Sequence, residues 1–174
     1  MSNMDQVITT DIFIGGSNRP ASNGAVYDLF NPARPTELVG HAAAATRDDV
    51  DAAVRAAHGA FPTWAEMGYQ ARIEIMLQVA EMLASDEEDI KYRSRLFTRE
   101  HGKIARETLM EMSRLGDRFR QAAAYGERIM VDEIMGPAGG GPQLDTIVTR
   151  QPRGVAALIV PWNWPLSILG ANRP

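Results

Sequence analysis

From Thr46 to Met130 apolar residues recur three or four positions apart with charged residues between them, the spacing that gives an α-helix one apolar face. Val50, Ala53, Val54 and Ala57 open the series. Thr46 before them, with Asp49 three residues on, has the form of a capping box, and Gly59 and Pro62 then break the pattern, predicting a helix over about 46–60. Ile73, Met76, Leu77, Ala80 and Leu83 share one face of a second helix over 70–84. Ser85, with Glu88 as its partner, predicts the cap of a third over 86–101, which Gly102 closes. Leu109, Met112, Leu115, Phe119, Ala122 and Ile129 mark a fourth, long helix over 105–130, a stripe that reads as core packing.

On either side of this block the period changes. Before it, "DIFIGGSNRP" and "AVYDLFNPARPTELVGHAAAA" are rich in β-branched and aromatic residues and punctuated by Gly-Gly, Asn-Pro and Arg-Pro, which predicts hairpins or edge strands. After it, "VDEIMGPAGGGPQ" reads as a loop or linker. Gly139 to Gly141 do not form a phosphate cradle, because Pro142 and an extended segment follow them where a helix N-terminus is needed. "LDTIVTRQPRG" alternates and predicts a strand within 143–151, and "GVAALIV", bounded by glycine and proline, predicts a buried strand over 154–160. The chain thus divides into residues 1–130, 131–152 and 153–174, with no internal repeat.

Composition narrows the function. The chain has 174 residues, 45% hydrophobic and 23% charged, the make-up of a folded domain or part of one. Its 18 basic against 22 acidic residues give a net charge of -4, so no overall positive field favours nucleic acid. Cysteine is absent, which removes disulfides, thiolate metal sites and thiol nucleophiles from this chain, and His41, His58 and His101 show no ligand spacing, so no metal site is expected. "MSNMDQVITTDIF" has neither a basic region nor a long apolar run, and the expected location is the cytoplasm. The charge-free stretch between Arg153 and Arg173 approaches the ~20 residues of a membrane span. Pro161, Pro165 and Asn163 within it argue against one, since each leaves a polar group unpaired in lipid.

The residues that carry chemistry follow that stretch's apolar run. In "PWNWP", Asn163 is a lone amide between two indoles and two prolines. Just past the carboxyl end of a strand, such an amide could donate to a carbonyl oxygen as it gains negative charge, an effect of about 3 to 4 kcal/mol in a dry site. A turn asparagine bonded to its own backbone is the alternative.

"NPA" at 31–33, "AAATRDDVDAAVRAAHGAFPTW", "REHGK" at 99–103 and above all "RGVAALIVPWNWPL" resemble, in order and over about Phe13 to Leu169, the N-terminal part of an NAD(P)-dependent aldehyde dehydrogenase. The resemblance implies an α/β fold: an incomplete Rossmann-like dinucleotide-binding domain with N-terminal strands, a helical layer and an oligomerisation-type strand. On it, residues 1–130 are strands and helices of the cofactor-binding domain, 131–152 the linker and oligomerisation strand, and 153–174 the first strand of the dinucleotide fold with its turn, truncated. Asn163 matches the oxyanion-hole asparagine. Ile159, Val160, Pro161 and Trp162 match the strand end and turn lining the dinucleotide site, and Trp164 an aromatic of the substrate tunnel, with a packing indole as its rival. "REHGK" is implied to be structural, with Lys103 near the helix's negative end. The implied cofactor is NAD or NADP, the substrate a small-molecule aldehyde, and the complete enzyme a homo-oligomer. The family's cysteine nucleophile is missing, and "GANRP" departs from the family, which more often has a lysine near Asn172 or Arg173. The chain is therefore expected to be an N-terminal portion, inactive alone. The alternative is a short non-catalytic binding or assembly module derived from the family.

Overall fold

A computed structural model describes residues 7–130, 132–137 and 145–171. The glycine run 139–141 lies outside the described residues. From Ile8 to Ala43 the chain is β-structure. Strands β1 (Ile8–Thr10), β4 (Val26–Asn31) and β5 (Arg34–Ala43) form a sheet in the order β1-β5-β4, β1 parallel and β4 antiparallel to β5. Strands β2 (Ile12–Ile14) and β3 (Ser17–Arg19) form a separate hairpin. Its two-residue turn is Gly15-Gly16, both at positive φ, the conformation whose twist matches paired strands.

Helix α1 (Arg47–Glu66) begins as its sequence predicts. Thr46 Oγ1 accepts from the Asp49 backbone N–H, and the Asp49 carboxylate reaches back to the Thr46 N–H at 2.9 Å. It does not end at Gly59 or Pro62. Pro62 removes one helical bond, to the carbonyl four residues earlier, and that residue, His58, is exposed, so water can take its place. Val50 and Val54 are half exposed, because no described element covers that face of α1.

Helix α2 (Gly68–Ala84) packs against a later helix, and α3 (Glu87–His101) starts one residue later than expected. Asp86 is the cap, its carboxylate accepting from the Asp89 N–H at 3.0 Å, while the Ser85 hydroxyl turns back to the Met82 carbonyl. Gly102 ends α3 in the left-handed conformation, as expected, with φ 79°.

The single helix expected over 105–130 is two, α4 (Ala105–Ser113) and α5 (Leu115–Ile129), hinged at Arg114. No proline marks the break; packing does. α4 lies on α3, where the Thr108 hydroxyl meets those of Ser94 and Thr98, whereas α5 lies on α2. There Met76 and Ala80 are buried, as are Phe119 and Ala123 of α5, and Gly116 comes so close that a Cβ on it would lie 2.7 Å from the Ala80 carbonyl oxygen. The inward residues of α4 are Thr108 and Glu111, both buried, not the expected Leu109, which is exposed.

Strands β6 (Glu133–Pro137) and β7 (Asp145–Val148) pair antiparallel. β7 falls in the segment predicted to be extended; β6 was expected to be loop because of its glycine and proline, and its pairing with β7 overrides them. The strand expected over 154–160 is not formed. A run of apolar residues becomes a strand only when a neighbour takes its backbone hydrogen bonds. Among the described residues no strand pairs with it, and Val155, Leu158 and Ile159 remain exposed. Helix α6 (Pro165–Ala171) follows and packs on α5, Gly170 lying against Arg118 and Leu115.

Candidate functional site

The turn 161–165 is held by side chains from the end of α3 and from α4. Gly102, in the left-handed conformation that a Cβ would oppose, reverses the chain so that His101 and Lys103 both reach the turn. His101 Nε2 lies 2.7 Å from the Trp162 carbonyl oxygen. A carbonyl only accepts, so Nε2 carries the hydrogen. The imidazole stacks with the Trp162 indole at 6.2 Å and meets Phe97 edge-on at 5.1 Å.

Lys103 is almost wholly buried, 6% exposed at its side chain. Its ammonium donates to Glu111 Oε2 at 2.8 Å and to the Asn163 carbonyl oxygen at 2.7 Å, and it sits 3.5 Å from the centre of the Trp164 ring. A carboxylate, a carbonyl and a π-face take up its three N–H directions. Glu111, with no exposed side-chain surface, gives its second oxygen to the backbone N–H groups of Leu166 and Ser167, each at 2.9 Å. Pro165 opens α6, where its missing N–H costs nothing, and Glu111 satisfies the next two donors. The N-cap position belongs to Trp164, whose side chain has no acceptor, so a carboxylate from another helix caps α6 instead.

Asn163 therefore has a fixed backbone and a free side chain. Its carbonyl is bound by Lys103, its own side chain is exposed, and its amide has no hydrogen-bond partner among the described residues. The alternative of a turn asparagine closed on its own backbone is not what this geometry contains. Beside it lies a depression of about 210 Å³ walled by His101, Lys103, Trp162, Asn163 and Trp164. Of the other residues singled out from the sequence, Trp164 is half-buried with one ring face under the Lys103 ammonium, and Val160 is half-buried. Pro161 is exposed, as are Ile159 (95%) and Trp162 (78%), so these three residues present a bare apolar edge. The structure brings Trp162, Asn163 and Trp164 to one depression and leaves Ile159 outside it.

Lys103 follows the C-cap of α3 directly, and its ammonium is drawn under the turn by Glu111 and Asn163. Reading the sequence gives Glu111 no role and gives His101 none beyond its place in the structural "REHGK" block. A signal for Glu111 exists: Thr108 and Glu111 are two polar residues three apart, hence on one helical face. Among the described residues, no helix is long and apolar enough to cross a membrane.

Comparison with known proteins bears on what this arrangement belongs to. The aldehyde dehydrogenase family matches residues 19–172. Succinate-semialdehyde dehydrogenase [NADP(+)] of Escherichia coli is 33% identical over 158 residues, covering 90% of this chain and 31% of that protein. Vanillin dehydrogenase of Pseudomonas fluorescens is also 33% identical, over 161 residues, covering 92% of this chain and 32% of that protein. The crystal structure of an NAD-dependent aldehyde dehydrogenase from Sinorhizobium meliloti superposes with a TM-score of 0.80 at 27% identity, covering 94% of this chain and 32% of that one. This chain spans about a third of the length of these relatives. Its mixed α/β structure is that of the corresponding part of their fold, and the chain belongs to the aldehyde dehydrogenase family.

Proposed function

We propose that this chain is the N-terminal portion of an NAD(P)-dependent enzyme that oxidises an aldehyde to a carboxylic acid, and that Asn163 supplies the side-chain donor for the aldehyde oxygen. One observation carries the reading: the Asn163 backbone is tied down by a buried lysine while its amide is exposed, with no partner among the described residues, beside a depression walled by two indoles. An amide that spends no hydrogen bond on its own fold is available to donate to an oxygen as charge develops there.

In the reaction proposed, a cysteine thiolate attacks the aldehyde carbon and its oxygen becomes an oxyanion that Asn163 stabilises. The hydride then leaves that carbon, and water cleaves the resulting thioester to the acid. NAD or NADP, when bound, supplies the hydride acceptor. Ile159, Val160, Pro161 and Trp162 fit one side of such a site, an exposed apolar edge that can take a flat ring by van der Waals contact. Trp164 is proposed to wall the aldehyde's path with its uncovered surface. Residues 1–130 are proposed to belong to the cofactor-binding domain, 131–152 to a linker whose β6–β7 hairpin joins copies into a homo-oligomer, and 153–174 to the start of the dinucleotide fold.

The thiol and the hydride-accepting site require sequence outside this chain, which contains no cysteine. The 174-residue chain alone should therefore form no NADH or NADPH from any aldehyde, followed by absorbance. In an enzyme that carries this chain as its N-terminal third, Asn163→Ala should lower kcat by roughly 10²- to 10³-fold with dinucleotide affinity nearly unchanged. A variant as stable as its parent that transfers hydride at the parental rate would remove the role given to Asn163.

A further inference from the structure

We infer that Lys103 and Glu111 are positioning residues for the Asn163 amide, a buried ion pair whose work is to set where that amide points. The inference rests on the reading of Asn163 as the oxyanion donor and deepens it.

Among the described residues, the hydrogen bonds and ring contact that this pair makes outside itself fall on the turn or on α6. Lys103 holds the Asn163 carbonyl and one face of Trp164; Glu111 holds the N–H groups of Leu166 and Ser167. Backbone is thus gripped at Asn163 itself and three and four residues beyond it, and His101 adds a further grip at the Trp162 carbonyl just before it. Fixing the peptide planes on both sides fixes the direction of the Asn163 Cα–Cβ bond, and the amide lies only two rotatable bonds beyond it. Neighbouring side chains cannot do this. Trp164 offers no acceptor, Pro165 has no N–H, and 154–160 has no strand partner among the described residues.

Stability alone gives no reason for the pair. Two charges removed from water, with side chains 6% and 0% exposed, regain little more than their desolvation cost, and a well-packed apolar pair of similar size commonly serves a fold as well or better. What an apolar pair cannot do is point hydrogen bonds at three chosen backbone groups. Arginine would not replace Lys103 either, because its planar fork cannot sit as a point charge between a carboxylate, a carbonyl and an indole face.

The test uses the ¹⁵N-labelled 174-residue chain and the double variant Lys103→Met with Glu111→Leu, which keeps volume and leaves no lone buried charge. The side-chain NH₂ signals of Asn163 and the indole N–H of Trp164 should shift or broaden. Amide exchange at Leu166 and Ser167 should accelerate roughly 10- to 100-fold, with α2 and α5 exchanging as in the parent. Unchanged Asn163 and Trp164 signals would overturn the inference. So would loss of the whole native spectrum, since the pair would then be holding the fold rather than the turn. If the Asn163 signals move while Asn163→Ala leaves hydride transfer intact in an enzyme carrying this chain, positioning stands and the oxyanion role falls.

Discussion

Removing one member of the Lys103–Glu111 pair should cost far more than removing both. In Glu111→Ala the Lys103 ammonium stays buried with only a carbonyl and a ring face for company, and two helix N–H groups of α6 lose their acceptor. Breaking a buried pair from one side costs about 3–5 kcal/mol. For a domain of this size that lowers Tm by roughly 6–20 °C. Lys103→Met should cost a similar amount, since it strands the Glu111 carboxylate with two neutral donors. Replacing both residues, by Lys103→Met and Glu111→Leu, removes the desolvation cost of two charges. It also forfeits the cap on α6, about 1–2 kcal/mol, so the net change should stay within about 2 kcal/mol of the parent. The coupling between the two sites is then about 5 kcal/mol, well above the error of urea denaturation on four proteins. If each single variant costs less than about 1 kcal/mol, or if the double variant costs the sum of the two, the charges are not paired in the interior and the account of this turn fails.

Two further outcomes are expected. Asp49 accepts from the Ser22 and Thr46 backbone N–H groups and from both of their hydroxyls, which holds its pKa down at about 2, so its contribution to stability is complete above about pH 4 and is lost as pH falls through 2. Urea midpoints between pH 5 and 2 should fall more steeply in the parent than in Asp49→Asn, and parallel slopes would refute the assignment. Gly116→Ala adds a Cβ 2.7 Å from the Ala80 carbonyl oxygen, so despite alanine's better helix propensity it should destabilise by about 1–3 kcal/mol; a raised Tm would show that α2 and α5 are not in this contact.

Local signals were the most legible. The Thr46–Asp49 capping box, the end of α3 at Gly102 and the Gly15-Gly16 turn each depend on residues within a few positions of one another, and each is where its residues place it. Tertiary choices were not. Nothing near Arg114 tells that α4 must stay on α3 while α5 swings onto α2, because the reason lies at Ser94, Thr98 and Ala80, between 16 and 34 residues away in sequence. The α4 stripe was misread by one position, since leucine at 109 fits an apolar pattern better than threonine at 108 or glutamate at 111, which are inward because each finds a polar partner there. Asn163 could be picked out by its residue type alone; its support could not, because Lys103 and Glu111 lie 60 and 52 positions before it.

The location of that support changes what anchors the candidate donor. An amide just past an apolar run is expected to be aimed by the strand that carries it, with rigidity supplied by the sheet. Here 154–160 pairs with no strand among the described residues, yet the 161–165 turn is gripped by His101, Lys103 and Glu111, which belong to the end of α3, the residues just beyond it and α4. Those elements are in turn locked to each other by the Ser94–Thr98–Thr108 hydroxyl cluster, and α3 is held to the β4–β5 sheet through Arg99 and Glu37 at 2.8 Å. The geometry of Asn163 is thus set by the helical layer, independently of how the apolar run before it is paired. On the proposed function, strand pairing would bring a dinucleotide or a nucleophile toward that amide without forming the amide's own foundation, and substitutions in the 154–160 run should weaken dinucleotide binding, read by titration, before they shift the Asn163 side-chain signals.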